Sequence, residues 1–118
     1  MMGQNFSRQY RLTHADDYQY VFAKARRFGN RNFTLLVRAN SLGHPRLGLA
    51  IAKKSAKLAV DRNRIKRLVR ESFRHQIADL PSIDIIAMCR SSAVELPSQE
   101  IRTQLDTQWR YIRRKIQG

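Results

Sequence analysis

The sequence predicts an α/β (α+β) two-layer sandwich with its elements in the order α-β-β-α-β-α. Three observations carry that expectation. A long basic stretch, Asp61 to His75, has the period of an amphipathic helix; two extended runs precede it; an apolar extended run and a second periodic stretch follow it. The two runs before the long helix read as an antiparallel hairpin, and the strands on either side of the helix can be parallel neighbours. Together they make a small mixed sheet. At 118 residues the chain is expected to be one domain, 1–118, around one core.

The elements follow in order. Residues 1–12 are polar and basic, with Phe6, Tyr10 and Leu12 as scattered anchors, and are expected to form a flexible basic arm. Thr13 and Asp16 then make a start resembling a capping box for a short helix through Ala25, in which Tyr18, Val21, Phe22 and Ala25 share one side. Gly29-Asn30 marks a turn. Phe33 to Arg38 alternates as a strand, Asn40 to Pro45 is a polar loop, and Arg46 to Lys53 is the returning strand of the hairpin.

That second strand has two unlike sides. Leu47, Leu49 and Ile51 are large, whereas Gly48, Ala50 and Ala52 are small and leave room for something to approach. Either the short aromatic helix fills the room, or an extended strand of a ligand lies there, or each holds at a different point along the row. Lys53, Lys54 and Lys57 lead into the long helix, which is expected to end near Leu80-Pro81. Ile83 to Arg90 reads as a buried strand and Ser91 to Pro97 as loop. Ser98 is expected to cap a last helix with Ile101, Leu105, Gln108 or Trp109, Ile112 and Ile116 on one side and Arg113-Arg114-Lys115 at its end.

Charge narrows the partner. Lys and Arg number 23 against 9 Asp and Glu, a net charge of +14. Such an excess repels itself unless it meets a polyanion, and nucleic acid is the default. A membrane surface ranks below it, because the apolar stripe of the basic helix is needed for the core and no run approaches spanning length. The first residues carry no apolar signal region, so the expected location is cytoplasmic. Cys89, in the run Ile85-Ile86-Ala87-Met88-Cys89, reads as a buried reduced thiol.

The charge concentrates on the long helix. Ile65, Leu68, Val69, Ser72, Phe73 and Gln76 fall on its inward side, and Asn63, Lys66, Arg67, Arg70 and Arg74 on the opposite side, with Arg62 and Arg64 flanking. An ordinary solvated face interleaves signs for i,i+4 pairing. Here only Asp61, placed to favour the helix start, and Glu71 interrupt the cations. The missing anion therefore reads as a partner's phosphate, and Arg8 and Arg11 of the arm are expected to touch RNA.

No protein active site is expected. Asp16 and Asp17 project about 100° apart on a helix, and His14, His44 and His75 lie on different elements without ligand spacing. The glycines form no phosphate-cradling motif, and no protein-bound metal is expected.

These residues resemble the protein subunit of bacterial ribonuclease P. The likeness rests on Arg46-Leu47-Gly48-Leu49 through Lys53-Lys54, followed by Arg62-Asn63-Arg64-Ile65-Lys66-Arg67-Leu68, and it extends from the Asp17 to Phe22 helix to the basic terminal helix. The resemblance implies a left-handed β-α-β crossover, which the general handedness rule would reject. It implies a non-catalytic partner of a catalytic RNA that removes the 5′ leader of precursor tRNA, with Mg²⁺ at the RNA's active site and the protein monomeric within the ribonucleoprotein. By the same resemblance Arg62, Asn63, Arg64, Lys66, Arg67, Arg70 and Arg74 bind the RNA subunit, with arginine as a bidentate phosphate fork. The leader-binding cleft maps onto Tyr18, Phe22, Leu36, Gly48, Ala50, Ala52, Lys53 and Lys54, a stacking surface with a positive track suited to a strand of varied sequence. Tyr18 stands where the family more often has phenylalanine, and Leu36 where some members have an aromatic ring.

The alternative is a generic RNA-binding ribosomal or RNA-assembly protein, which shares the basic helix but does not account for a separate cleft. A helix-turn-helix is weaker because strands, not a short companion helix, precede the basic helix. A self-sufficient nuclease is weaker still for want of clustered acids.

Overall fold

The computed structural model describes residues 8–117. Its elements are α1 (Ala15–Ala23), β1 (Arg26–Gly29), β2 (Phe33–Ala39), β3 (Arg46–Leu49), α2 (Ala59–Arg74), β4 (Ile83–Cys89) and α3 (Ser98–Gln117), with 3-10 turns at Arg8–Tyr10 and Ser91–Glu95. The α+β class and the mixed sheet are as expected. Two features of the sheet are not.

First, a strand was missed. Arg26–Gly29 pairs antiparallel with β2, Arg27 opposite Leu36. It is only four residues long, with one buried position, Phe28, so its alternation is too brief to read. The expected turn at Gly29-Asn30 joins this strand to β2: the Asn30 side-chain oxygen accepts from the Asn32 and Phe33 amides at 2.8 and 2.9 Å. The expected helix through Ala25 therefore stops at Ala23.

Second, the expected β2–β3 hairpin does not form. The order is β1-β2-β4-β3, with β4 antiparallel to β2 and parallel to β3. The reason is burial. β2 and β4 are seven residues long and largely buried on both faces, which suits the centre of a sheet, whereas the four-residue β3 with its glycine goes to an edge. The loop Asn40 to Pro45 passes the chain across β4.

That edge is covered. Arg11 bridges Leu47 in parallel, the Leu12 amide donates to the Leu47 carbonyl at 2.9 Å, and Leu12 is buried. The expected loose arm is thus docked from residue 8 onward; Phe6 and the other residues before Arg8 lie outside the described residues.

The sheet divides two apolar clusters. On one face Phe33, Leu35 and Val37 of β2 and Ile83, Ile85 and Ala87 of β4 meet Ile65, Leu68, Val69 and Phe73 of α2 and Ile101, Leu105, Trp109 and Ile112 of α3. The inward side expected for α2 is therefore buried, apart from half-buried Gln76. On the other face, among the described residues, Val21 of α1 and Leu12 of the N-terminal segment pack with Ile86, with Tyr18, Ala25, Leu36, Ala50 and Met88 around them.

Three further helix ends differ from expectation. α1 begins without the Thr13–Asp16 box: the His14 backbone carbonyl accepts from the Asp17 and Tyr18 amides, and no side chain caps it. α2 ends at Arg74, and turns carry the chain from there to Leu80. Ser98 is already helical, and its hydroxyl accepts from the Arg64 guanidinium at 3.2 Å.

Candidate nucleic-acid interface

The basic row of α2 arises because the other side of the helix is used up in the core. Asn63, Arg67 and Arg70 are exposed and Lys66 half-exposed, and among the described residues none is in an ion pair. Arg62 and Arg64 stand apart from this row. The Arg62 guanidinium donates to the Ala56 and Lys57 carbonyls at 2.9 and 3.0 Å, fastening the loop before the helix. Arg64 donates to the Val94 carbonyl at 2.8 Å as well as to Ser98, tying α2 to the start of α3. Both therefore hold the helix that presents the row. Arg74, at the last turn, is half-exposed.

Lys66 and Arg70 do more than face solvent. With Arg11, Thr13, Tyr18 and Leu49 they line a cavity of about 250 Å³ at the β3 edge, so the N-terminal segment adds its own cation beside the row. Arg11 was expected on a loose arm; the bridge to Leu47 fixes its backbone here.

On the opposite sheet face, register sets the surface. Arg27, Leu36, Ile86 and Gly48 form one row across the four strands, because each is the Cα partner of the next. Thr34 and Met88 pair in the next row, and Ala50, whose amide still donates to the Ala87 carbonyl at 2.9 Å, continues the line of β3. α1 crosses this face. Tyr20 on one side of the helix donates its hydroxyl to the Ala39 carbonyl at 2.9 Å, and the Arg38 guanidinium lies 3.7 Å over its ring.

Tyr18 and Phe22, about half a turn round from Tyr20, face the other end of the sheet, and they differ. Tyr18 is half-buried: its ring and Leu12 occupy the space over Gly48, where an added Cβ would stand 2.9 Å from both. Its hydroxyl accepts from the Leu49 amide at 3.1 Å, an edge N–H that points away from β4. So at Gly48 the room in the small-residue row is taken by the protein itself. Phe22 is 50% exposed, a large ring left outside the core. On the same sheet face as α1, half-buried Leu36 and Ala50 lead to exposed Ala52, Lys53 and Lys54, the last two in a turn just beyond β3.

Two residues of this open surface were missing from the sequence reading. The Arg27 side chain is exposed, without a hydrogen bond or ion pair among the described residues, and its register puts it beside Leu36 at the far end from Lys53. Met88 lies between. The short β1 hid Arg27, and Met88 was read only as part of a buried run.

Opposite this opening, under the N-terminal end of α1, the charges are neutralised. Asp84 is fully buried and takes two hydrogen bonds from Arg46, at 2.9 and 2.8 Å, and one from Asn40 at 2.8 Å. Asp17 of α1 reaches the same guanidinium at 3.5 Å. The hydrogen bond to Asp84 is the main cause that raises the Arg46 pKa, against the desolvation that lowers it. Arg46 is a structural cation, and the open cleft is bounded by free ones. Burial pushes the Cys89 thiol pKa up, as suits an inert core position. Among the described residues no group of three or more His, Cys, Asp or Glu is placed to hold a metal, and no helix is long and apolar enough to cross a membrane.

Comparison with known proteins gives a consistent result. The family model described as Ribonuclease P matches residues 6–113. The ribonuclease P protein component of Aliivibrio fischeri is 46% identical over 117 residues, covering 99% of this chain and 100% of that one. That of Methylococcus capsulatus is 44% identical over 116 residues, covering 98% and 91%. Among solved structures, the RNase P protein of Staphylococcus aureus superposes with a TM-score of 0.80 at 31% identity, over 86% of this chain and 94% of that one. The Thermotoga maritima RNase P protein gives 0.77 at 28% identity, over 86% and 96%.

Proposed function

The chain belongs to the ribonuclease P protein family and is a protein component of ribonuclease P, in tRNA 5′ processing; from that premise we propose that it holds two RNA segments on opposite sides of its sheet. The α2 row of Asn63, Lys66, Arg67 and Arg70, held in place by Arg62 and Arg64, binds the catalytic RNA. The cleft beneath Phe22 binds the single-stranded 5′ leader of precursor tRNA. Hydrolysis and its Mg²⁺ belong to the RNA, and the protein acts as a monomer within the ribonucleoprotein, in the cytoplasm.

The observation that carries this reading is the separation of the two surfaces. One is a row of cations without an ion pair among the described residues, on a helix whose other side is buried, suited to the phosphates of a folded RNA. The other joins an exposed ring on α1 with a half-buried apolar sheet face that has Arg27 at one end and Lys53 and Lys54 at the other. A strand of varied sequence needs such a stacking plane and positive ends rather than base-edge readout.

The test is cleavage of precursor tRNA at low Mg²⁺ by the catalytic RNA alone, the protein alone and the two together. Only the mixture is expected to cut efficiently at the mature 5′ end. Inactivity of the mixture at Mg²⁺ levels where the RNA alone cuts would sink the assignment. Within the active mixture, Phe22→Ala is expected to weaken binding of precursor about tenfold, as for loss of one stacked base, and to leave mature tRNA unaffected. Equal loss for both tRNAs would remove the cleft from the account.

A further inference from the structure

A third basic surface lies at the opposite sheet edge from the Lys66–Arg70 cavity. Gly29 of β1 and Thr107, Gln108, Arg110, Tyr111 and Arg114 of α3 line a cavity of about 340 Å³. Strands β1 and β3 are the two edges of the sheet, three strand spacings or about 14 Å apart. This cavity is therefore not an extension of the α2 row. Nor is it part of the cleft, because α3 packs on the helical side of the sheet.

Its chemistry is that of a nucleotide site. Tyr111 is 40% exposed, held at its edge by Phe28 at 5.8 Å, with the Arg114 guanidinium and Lys115 ammonium each 5.6 Å from its ring centre. Arg26 caps the outer side of Phe28 at 5.3 Å. Among the described residues no carboxylate pairs with Arg110, Arg114, Lys115 or Arg26. The neighbouring acids are spent elsewhere: Asp106 accepts from Ser72, Asp79 pairs with Arg113, and Glu100 accepts from Gln104.

A second, independent feature is Gln108. It is 9% exposed, it lines the cavity, and its side-chain oxygen is buried without a hydrogen-bond partner. Buried acceptors are nearly always satisfied; the Gln108 oxygen is closed to solvent as it stands, and a donor entering the cavity meets it once the side chain turns outward. Phosphate supplies none. Base amino groups and the ribose 2′-hydroxyl do.

We infer that the α3–β1 seam is a second docking site for the catalytic RNA, taking a nucleotide with its base against Tyr111 and its flanking phosphates on Arg110 and Arg114. The catalytic RNA is the occupant because this seam shares the helical side of the sheet with the α2 row, whereas the leader cleft opens on the other side. One RNA can then grip the protein at both edges. The inference rests on the proposed role of α2, and its test separates the two.

The dissociation constant of the protein for the catalytic RNA is measured across a salt series for wild type, Arg110→Gln/Arg114→Gln, Tyr111→Ala and Arg67→Gln. The double variant is expected to bind about tenfold more weakly at moderate salt and to lose about 1 to 2 from the slope of log K against log salt. Tyr111→Ala is expected to weaken binding about tenfold with the slope unchanged. A Thr107→Cys protein carrying a tethered iron chelate is expected to cleave the catalytic RNA in a segment distinct from the one cut by the same probe at position 67; buried Cys89 stays unlabelled. If Arg67→Gln weakens binding while the α3 variants match wild type, this inference falls alone. If neither does, the role of α2 falls as well. Cleavage from position 107 confined to precursor tRNA, or absent, also overturns it.

Discussion

Tyr18 carries a hydroxyl that the family resemblance marked as a departure, and the structure gives it a partner. The Leu49 amide points outward from an edge strand, and Tyr18 Oη accepts from it at 3.1 Å. Tyr18→Phe keeps the ring over Gly48 and removes only that acceptor. The expected cost is about 1 kcal/mol of stability, read by urea denaturation, with faster hydrogen exchange at the Leu49 amide and unchanged leader binding. Gly48→Ala acts on the same contact from below. Its Cβ would stand 2.9 Å from Leu12 and the Tyr18 ring, so α1 has to lift, with a loss of roughly 1–3 kcal/mol. If Gly48→Ala were as stable as wild type, the packing of α1 on β3 described here would be wrong.

At the scale of the element, α2 and α3 are joined by a polar contact inside an apolar seam. The buried Trp109 indole donates to Ser72 Oγ at 2.7 Å, and Ser72 donates to Asp106 at 3.1 Å. Ser72→Ala leaves that N–H without its acceptor, and a loss of about 1–3 kcal/mol is expected in thermal or urea unfolding. Ser72→Thr, which keeps the hydroxyl, should recover part of it. The sequence placed Ser72 on the inward side of α2 by period alone, and could not show why a hydroxyl sits there. Periodicity made α2, α3, β2 and β4 legible because each is long and carries one dominant pattern. It missed β1, whose four residues offer a single buried position, and so missed Arg27. It also paired β2 with β3 because they are neighbours in the chain, whereas burial on both faces brings β4 between them. Asp84 in the run Ile83 to Cys89 was the visible sign of a polar contact: an acid in a buried strand requires a partner, and Arg46 is its register mate. Of the two occupants that the small-residue row admits, the structure places the short helix, with Tyr18 over Gly48; the ligand strand is the proposal for the surface from Ala50 onward.

For the whole molecule, the sheet itself is the insulator between the proposed contacts. The α2 row and the Phe22 cleft lie on opposite faces, and Asp84, Arg46 and Asp17 neutralise one another under α1 rather than extending either positive surface. Losses at the two surfaces should therefore add. In a double-mutant cycle, Arg67→Gln is expected to weaken assembly with the catalytic RNA and Phe22→Ala to weaken capture of precursor. Their combined effect on the free energy of the complete complex, catalytic RNA plus protein plus precursor, is expected to equal the sum within about 0.5 kcal/mol. The two should also part company in salt. Arg67→Gln, losing the proposed phosphate contact, is expected to lower the salt slope by about 1, whereas Phe22→Ala, losing the proposed stacking plane, is expected to leave the slope alone. Coupling well above that limit, or a common salt signature, would mean that a single RNA segment runs from α2 past the Arg11–Lys66–Arg70 cavity and around the β3 edge into the cleft. That cavity lies at the β3 edge, where the two surfaces can meet without crossing the sheet, so Arg11→Gln is the variant that distinguishes the cases. It should behave like Arg67→Gln if the surfaces are independent, and like both at once if they are one track.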